Sequence, residues 1–385
     1  MKRNIKRTAR LLLLAALVFS ASAIEAQEQK TGEEMPPGWF GIPKTNTRFK
    51  IGGYVKFDLI HDFNPIGSPD FFDVSKIPTD GSKGEDSHLN AKETRLFLDF
   101  RNPSKVGELR GYLEGDFYGS SGAFRLRHAY VEIGEKWLAG QTWSNFMDEN
   151  IIPPTLDFEK PAAYAFIRHA QFRWKQSLSE DSYLALALEE PSTSAQQPTD
   201  PGELESPLPD LTARYRVTKT WGHVQVSGFA AKLQFRPTSG PVEDVALLGA
   251  NFSGQFNLLR KDKLSYQIFY GPGAARYRGG LSAGLDAEGN LDPLTGTAYT
   301  LSYLHYWSSA FSSLVVYNHG FEDNTEGQPV SAVHSAYYLA ANLIWNVTDN
   351  VFAGIEYLHG KREDVDVSEG TANRMQFSVR YAFNM

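Results

Sequence analysis

Arginine and lysine recur on the polar side of a period-two pattern along most of this chain. The positions are Lys50, Lys56, Arg95, Arg101, Arg110, Arg127, Arg173, Arg214, Arg216, Lys232 and Arg380. In an extended segment residues two apart share a face, so these side chains are expected on one wall. The same face carries the acids Asp58, Glu93, Asp99, Glu114, Asp116 and Glu356, so eleven cations stand against six carboxylates. A guanidinium offers several donors to a carboxylate and keeps its charge at any physiological pH, so such a wall favours anions. Arg127, Arg173, Arg214 and Arg216 carry most of this reading, because their segments supply few acids. Arg95 with Asp99, and Arg110 with Asp116, also read as ordinary ion pairs of a wet surface, each worth little alone.

A second group of charges sits where the alternation stops. Ser144 to Tyr164 holds Asp148, Glu149, Asp157 and Glu159 together with Pro153, Pro154 and Pro161. That segment is too proline-rich and aperiodic for a strand or a long helix. It is expected to be a long loop folded into the interior and facing the basic wall, which would set a transverse field across a constriction. Arg168 follows this loop directly and joins the candidate wall, although the phase of its strand is not fixed by the sequence.

The elements that must position these groups are strands. Arg48 to Leu59 alternates Phe49, Ile51, Val55, Phe57 and Leu59 against Lys50, Tyr54, Lys56 and Asp58. Further strands are expected at 92–101, 108–118, 124–133, 136–143, 166–175, 183–189, 211–218, 222–235, 244–258, 264–271, 297–307, 310–321, 333–346, 350–361 and 371–383. In 222–235 the apolar phase switches between Val224/Val226 and Phe229/Leu233/Phe235, which predicts a β-bulge near Gly228. Connections alternate between tight turns and long loops, among them 62–91, 190–209 and a Gly-rich stretch to about 296. Sixteen strands with alternating short and long connections predict an all-β fold, a 16-stranded antiparallel transmembrane β-barrel with an inward-folded constriction loop.

A two-sheet sandwich also alternates, and a secreted lectin-like sandwich is the competing fold. Against it stand aromatic residues near strand ends, Trp137, Trp143, Trp174, Trp307 and Trp345, read as an interfacial girdle, and charges on the opposite face along the whole chain. Composition agrees with a barrel, with 18 Tyr, 25 Phe, 7 Trp and 33 Gly and a mean hydropathy of −0.36.

Residues 1–23 carry five basic residues, an apolar run from Leu11 to Phe19 and Ala21-Ser22-Ala23, the pattern of a secretory signal peptide. The nine apolar residues are short of the ~20 that span a bilayer as a helix, which disfavours a membrane anchor. Residues 24–47 read as a periplasmic arm without a fold of its own, and 48–385 as the barrel domain. Loss of the five signal-peptide cations takes the formal net charge from −7 to −12, which disfavours nucleic acid as a partner. There is no cysteine, so no disulfide or thiol chemistry is expected. Nine histidines without ligand spacing give no metal site, and no cofactor is expected. His305 and His359 fall on the outward face with no serine spaced to serve them, so a hydrolase on the barrel surface is disfavoured.

Ile42-Pro43 with the run 49–58, Arg125-Leu126-Arg127-His128-Ala129-Tyr130-Val131, and Ala139-Gly140-Gln141-Thr142-Trp143-Ser144-Asn145-Phe146-Met147-Asp148 resemble the DcaP-like family of outer-membrane porins, part of the general porin superfamily. The resemblance runs from about Ile42 to the C-terminus. It implies a homotrimer of sixteen-stranded barrels in the outer membrane of a Gram-negative bacterium, an inward third loop, and passive uptake of small anionic solutes such as dicarboxylates. Some members carry a long helical N-terminal segment, for which the arm here is too short. The partners expected are outer-membrane lipid and small anions. Other readings are a sugar- or phosphate-specific or non-selective porin and, more distantly, an enzyme or adhesin on a barrel.

Overall fold

The computed structural model describes residues 36–159, 163–258 and 261–383. The signal peptide, most of the arm, Pro161 and the last two residues lie outside this range. Sixteen long strands form one antiparallel ladder: β1 Arg48–Asp62, β2 Arg95–Ser104, β3 Gly107–Asp116, β4 Arg125–Ile133, β5 Trp137–Trp143, β6 Arg168–Ser177, β7 Ser182–Glu189, β8 Asp210–Lys219, β9 Gly222–Pro237, β10 Glu243–Asn257, β11 Lys263–Pro272, β12 Thr295–Tyr306, β13 Phe311–Asp323, β14 Val333–Asn346, β15 Val351–Asp364 and β16 Glu369–Phe383. Each pairs with its sequence neighbours, and β1 pairs with β16 from Gly53↔Phe383 to Asp62↔Arg374, so the sheet closes into a barrel with no free edge.

The alternation is the reason these segments are strands of a barrel. In β1 the side chains of Ile51, Val55, Phe57 and Leu59 are exposed on the outside, while Tyr54, Lys56, Asp58 and Ile60 are buried within. The outer face stays apolar around the barrel, through Leu96, Val131, Phe172, Phe252, Leu301, Ile355 and Phe377. Aromatic residues cluster at the short-turn end, where Trp137 stacks on Phe172 at 5.3 Å and Phe311 on Trp345 at 6.2 Å. Trp143 departs from this girdle: it turns inward against Phe166 and the edge of His128.

The long-loop end is more structured than the sequence suggests. Asp86–Asn90 pairs with Asp58–Asp62 and extends the wall above β2, within a stretch read as loop. Gly202–Glu205 pairs with the end of β9, and Ala283–Leu285 pairs with Leu291–Pro293 inside the Gly-rich segment. At the other end Trp39–Gly41 pairs with Arg48–Lys50, so part of the expected unstructured arm is a hairpin. Its Trp39 ring lies under the guanidiniums of Arg48 (5.3 Å) and Arg101 (5.1 Å), which hold it at the barrel rim.

Strand β9 corrects the predicted bulge. Its register with β8 and β10 is unbroken through Gly228, and Phe229, Leu233 and Phe235 are buried on the inner face. They face inward because the interior there is dry: Phe146 from the inner loop and Tyr277 from the 274–278 turn pack against them, Leu247 and Phe269. A bulge lies in β4 instead, and a second register shift falls between Val333 and Ser335 at the start of β14. Glu114 pairs with His128 and Gly115 with Leu126, which leaves Arg127 as the extra residue and turns both Arg127 and His128 inward.

Candidate functional site

The loop between β5 and β6 runs inside the barrel and is tied to the wall along its length. At its root Glu189 accepts from Ser144 Oγ (2.7 Å) and Asn145 N (2.6 Å). Further along, Ser227 Oγ and Asn251 Nδ2 donate to Phe146 O, and Gln225 Nε2 to Met147 O. Beyond Pro154 the loop crosses to the far wall, where Glu356 accepts from the amides of Leu156 (2.9 Å) and Asp157 (2.8 Å) and Lys56 Nζ donates to Leu156 O (2.6 Å). A segment without secondary structure stays at this depth because wall side chains satisfy its amide and carbonyl groups.

The loop acids are used in the same way. Asp148 is fully buried and lies 3.2 Å from Arg216 Nη1, 2.8 Å from His223 Nε2 and 3.0 Å from Ser253 Oγ. Glu149 accepts from Arg214 Nη1 at 3.1 Å, and Asp157 accepts from Phe72 N at 3.1 Å with Arg374 Nη1 at 3.5 Å. Instead of facing a bare basic wall across a gap, these acids turn onto the wall and hold the loop there. Arg214 and Arg216 point inward, but with 2% and 8% exposure they lie under the loop and act as its anchors.

The face that the loop turns to the remaining lumen is apolar. Ile152, Pro154, Leu156 and Phe158 border a chamber of about 610 Å³ whose barrel wall is formed by β1–β4 and β12–β16. In and around it, among the described residues, stand six cations and four carboxylates: Lys56, Arg95, Arg127 and Arg380 line it with Glu93 and Glu114, Asp58, Asp116 and Arg125 join their ion pairs, and Arg168 lies over the bordering Trp143 ring. Lys56 is committed to Glu93 and Asp58, Arg127 to Glu114 (3.0 Å) and Asp116 (2.8 Å), Arg125 to Asp116 (2.8 Å), and Arg95 lies 3.4 Å from Glu114. Two cations form no contact ion pair among the described residues. Arg168 lies over Trp143 at 4.6 Å, with Arg127, Arg125 and Arg95 the charges acting on it most strongly. Arg380 lies between the rings of Tyr54 (5.1 Å) and Phe352 (4.5 Å).

Of the candidate residues, Lys56, Arg95 and Arg127 therefore line one chamber, and Arg168 lies against the Trp143 ring that borders it. Arg173 and Arg214 border a different cavity beneath the loop. Arg110 is bound to Asp99 (3.0 Å) and Glu132 (3.2 Å) nearer the short-turn end, where Lys50 and Arg101 also lie. Lys232 does not belong to the wall, for it is on the outer side of β9 and pairs with Asp244 at 3.0 Å. The sequence reading passed over Arg125, although its i, i+2 spacing from Arg127 on one strand could have marked it. Among the described residues no three His, Asp or Glu side chains are placed to hold a metal ion.

Glu159, on the long-loop side of the same loop, behaves differently from its fellow acids. Burial, with Asp157 and Asp73 nearby, pushes its carboxyl up to about 8. A glutamate in an unfolded segment ionises near ~4.3. The folded loop thus binds this proton more tightly than the unfolded loop, and its stability falls as pH rises from about 4 to about 8, then levels off. Limited proteolysis of the loop should accelerate across that window in the native chain and lose the trend in Glu159→Gln. An unchanged trend in the variant would assign the pH response to other groups.

The model of the DcaP outer membrane protein family matches residues 21–383. Among solved structures, the outer membrane channel DcaP of Acinetobacter baumannii aligns with a TM-score of 0.80 at 24% identity, over 89% of this chain and 99% of that one. The anion-selective porin from Comamonas acidovorans aligns at 0.61 with 11% identity, over 88% and 100%. A trimer form of Vibrio cholerae OmpT aligns at 0.54 with 10% identity, over 88% and 99%. No curated protein sequence matches. With the family match running through the whole barrel, and a closed sixteen-stranded wall that is apolar outside and charged within, this chain belongs to the DcaP family of outer membrane proteins and is a porin-type channel of the Gram-negative outer membrane.

Proposed function

We propose that this channel passes small anionic solutes, dicarboxylates among them, in preference to cations. The observation that carries the proposal is the pair Arg380, which lines the chamber, and Arg168, which lies over the Trp143 ring that borders it, both with rings and not carboxylates as their contacts among the described residues. In a chamber where the other four cations are matched by four carboxylates, this pair supplies the uncompensated charge. A fixed cation beside a passage raises the local concentration of anions and repels cations. The Comamonas acidovorans relative, described as anion-selective, supports the same direction. The family resemblance supports dicarboxylates, whose two charges suit two separated arginines.

The outer face of β1–β4, with Ile51, Phe57, Leu113 and Val131, is apolar enough for lipid or for a second copy. Homotrimer assembly is part of this proposal, supported by the trimer form of OmpT. A sugar channel is the second reading, favoured by the aromatic rings of Tyr54, Tyr112, Phe158 and Phe352 around the chamber. The reversal potential of the purified protein in a planar bilayer under a salt gradient tests the proposal. It should carry the sign of anion selectivity, and malto-oligosaccharides should leave the current unblocked. Cation preference would overturn the proposal, and saturable block by sugar would replace it with the second reading.

A further inference from the structure

We infer that the cavity beneath the inner loop, between β5 and β8, is a second anion-binding station that takes a carboxylate group of the solute on its way to the periplasm. The cavity measures about 340 Å³, a size suited to a small ligand. Its wall carries Arg173 and Lys175, which are two residues apart on β6 and share the inner face. Arg173 donates from Nε to Gln171 Oε1 (2.9 Å) and from Nη2 to Trp143 O (2.6 Å), both neutral acceptors. Lys175 Nζ rests over the Tyr183 ring at 5.3 Å and has no carboxylate partner among the described residues.

The acids around the cavity do not cancel these charges. Glu149 is held by Arg214 at 3.1 Å and Glu132 by Arg110 at 3.2 Å, which leaves Glu135 in the turn at the rim. A carboxylate entering here meets two cations that have no ion-pair partner among the described residues. Trp143, whose ring borders the chamber, accepts on its carbonyl from Arg173 Nη2 in the cavity wall, so the chamber and the cavity form successive stations. A channel conducts well when its sites are several and individually weak, because each is favourable enough to enter and weak enough to leave.

This inference rests on the anion-channel reading, and the test separates the two. Succinate added to one face of the bilayer at a time should reduce the chloride current through the native channel. In Arg173→Gln/Lys175→Gln, the apparent dissociation constant for block from the periplasmic face should rise about tenfold, as expected for loss of charge-assisted hydrogen bonds. Block from the extracellular face should change by less than about twofold, and the reversal potential should keep its sign. Lys175→Gln alone, which disturbs only a ring contact, should give about a threefold rise from the periplasmic face and guards against misfolding of the double variant. Unchanged block from the periplasmic face in both variants, or an equal loss from both faces, overturns the second station. A native channel that prefers cations overturns the anion reading itself, whereas an anion-selective native channel with unaffected variants removes only this inference.

Discussion

With Arg168 and Arg380 both replaced by glutamate, the channel should pass cations in preference to anions. Among the described residues in and around the chamber six cations stand against four carboxylates, and the double replacement leaves four against six. At a separation of ~5 Å each charge acts on a passing ion with on the order of 1 kcal/mol even at the dielectric constant of water, and with more beside a low-dielectric wall. A swing of four charges, partly screened by salt, is therefore expected to change the anion-to-cation permeability ratio by at least about tenfold. Neither side chain anchors the structure, since their contacts are the rings of Trp143, Tyr54 and Phe352. Loss of those cation–π contacts costs about 0.5–1 kcal/mol each, which a closed sixteen-stranded barrel tolerates. The reversal potential under a salt gradient is the measurement. An anion-selective double variant would show that these two arginines do not set selectivity.

Arg214→Ala and Arg216→Ala, which remove anchors of the inner loop and no charge lining the chamber, should leave the sign of the reversal potential unchanged. Period-two alternation identified the strands of the wall, because one side of each strand faces lipid and the other a polar interior. It also placed Arg214 and Arg216 on the inner face. What alternation cannot tell is what stands in front of an inner-face residue. Asp148, Glu149 and Asp157 belong to a loop expected to face the wall across a gap, and a segment without a period carries no sign of contact, whereas the structure lays them on the wall as partners of Arg216, Arg214 and Arg374. The β9 misreading has the same origin. Phe229, Leu233 and Phe235 looked like a change of phase because the interior was taken to be wet everywhere, whereas Phe146 and Tyr277 make it dry at that height. The β4 bulge leaves no comparable mark, since Arg127 and His128 are both polar and either phase accommodates the run.

Substitution of Asp148 by alanine should release the inner loop. One carboxylate there receives Arg216 Nη1 (3.2 Å), His223 Nε2 (2.8 Å) and Ser253 Oγ (3.0 Å), and also caps the amide of Asn150 (3.2 Å). Its removal leaves the buried Arg216 guanidinium with only the neutral Asn150 Oδ1 (2.8 Å) and Thr218 Oγ1 (3.4 Å) as acceptors and the buried His223 imidazole without its carboxylate, and breaking a buried charged pair typically costs about 3–5 kcal/mol. The barrel ladder does not pass through this site, so the cost falls on the loop, which opens locally while the strands remain paired. The expected result is faster proteolysis between Ser144 and Ile167, larger and noisier single-channel conductance, and weaker selectivity as the apolar loop face moves away from Arg168. Asp148→Asn keeps the shape and an acceptor oxygen but not the charge, and should lie between the native chain and alanine. Glu149→Gln should have a smaller effect, because Glu149 is partly exposed and has Arg214 as its one side-chain partner among the described residues. Native conductance and native protease resistance in Asp148→Ala would mean that Glu189, Ser227, Asn251 and Glu356 hold the loop without it. The carboxylate would then be a consequence of the loop's position, and not its cause.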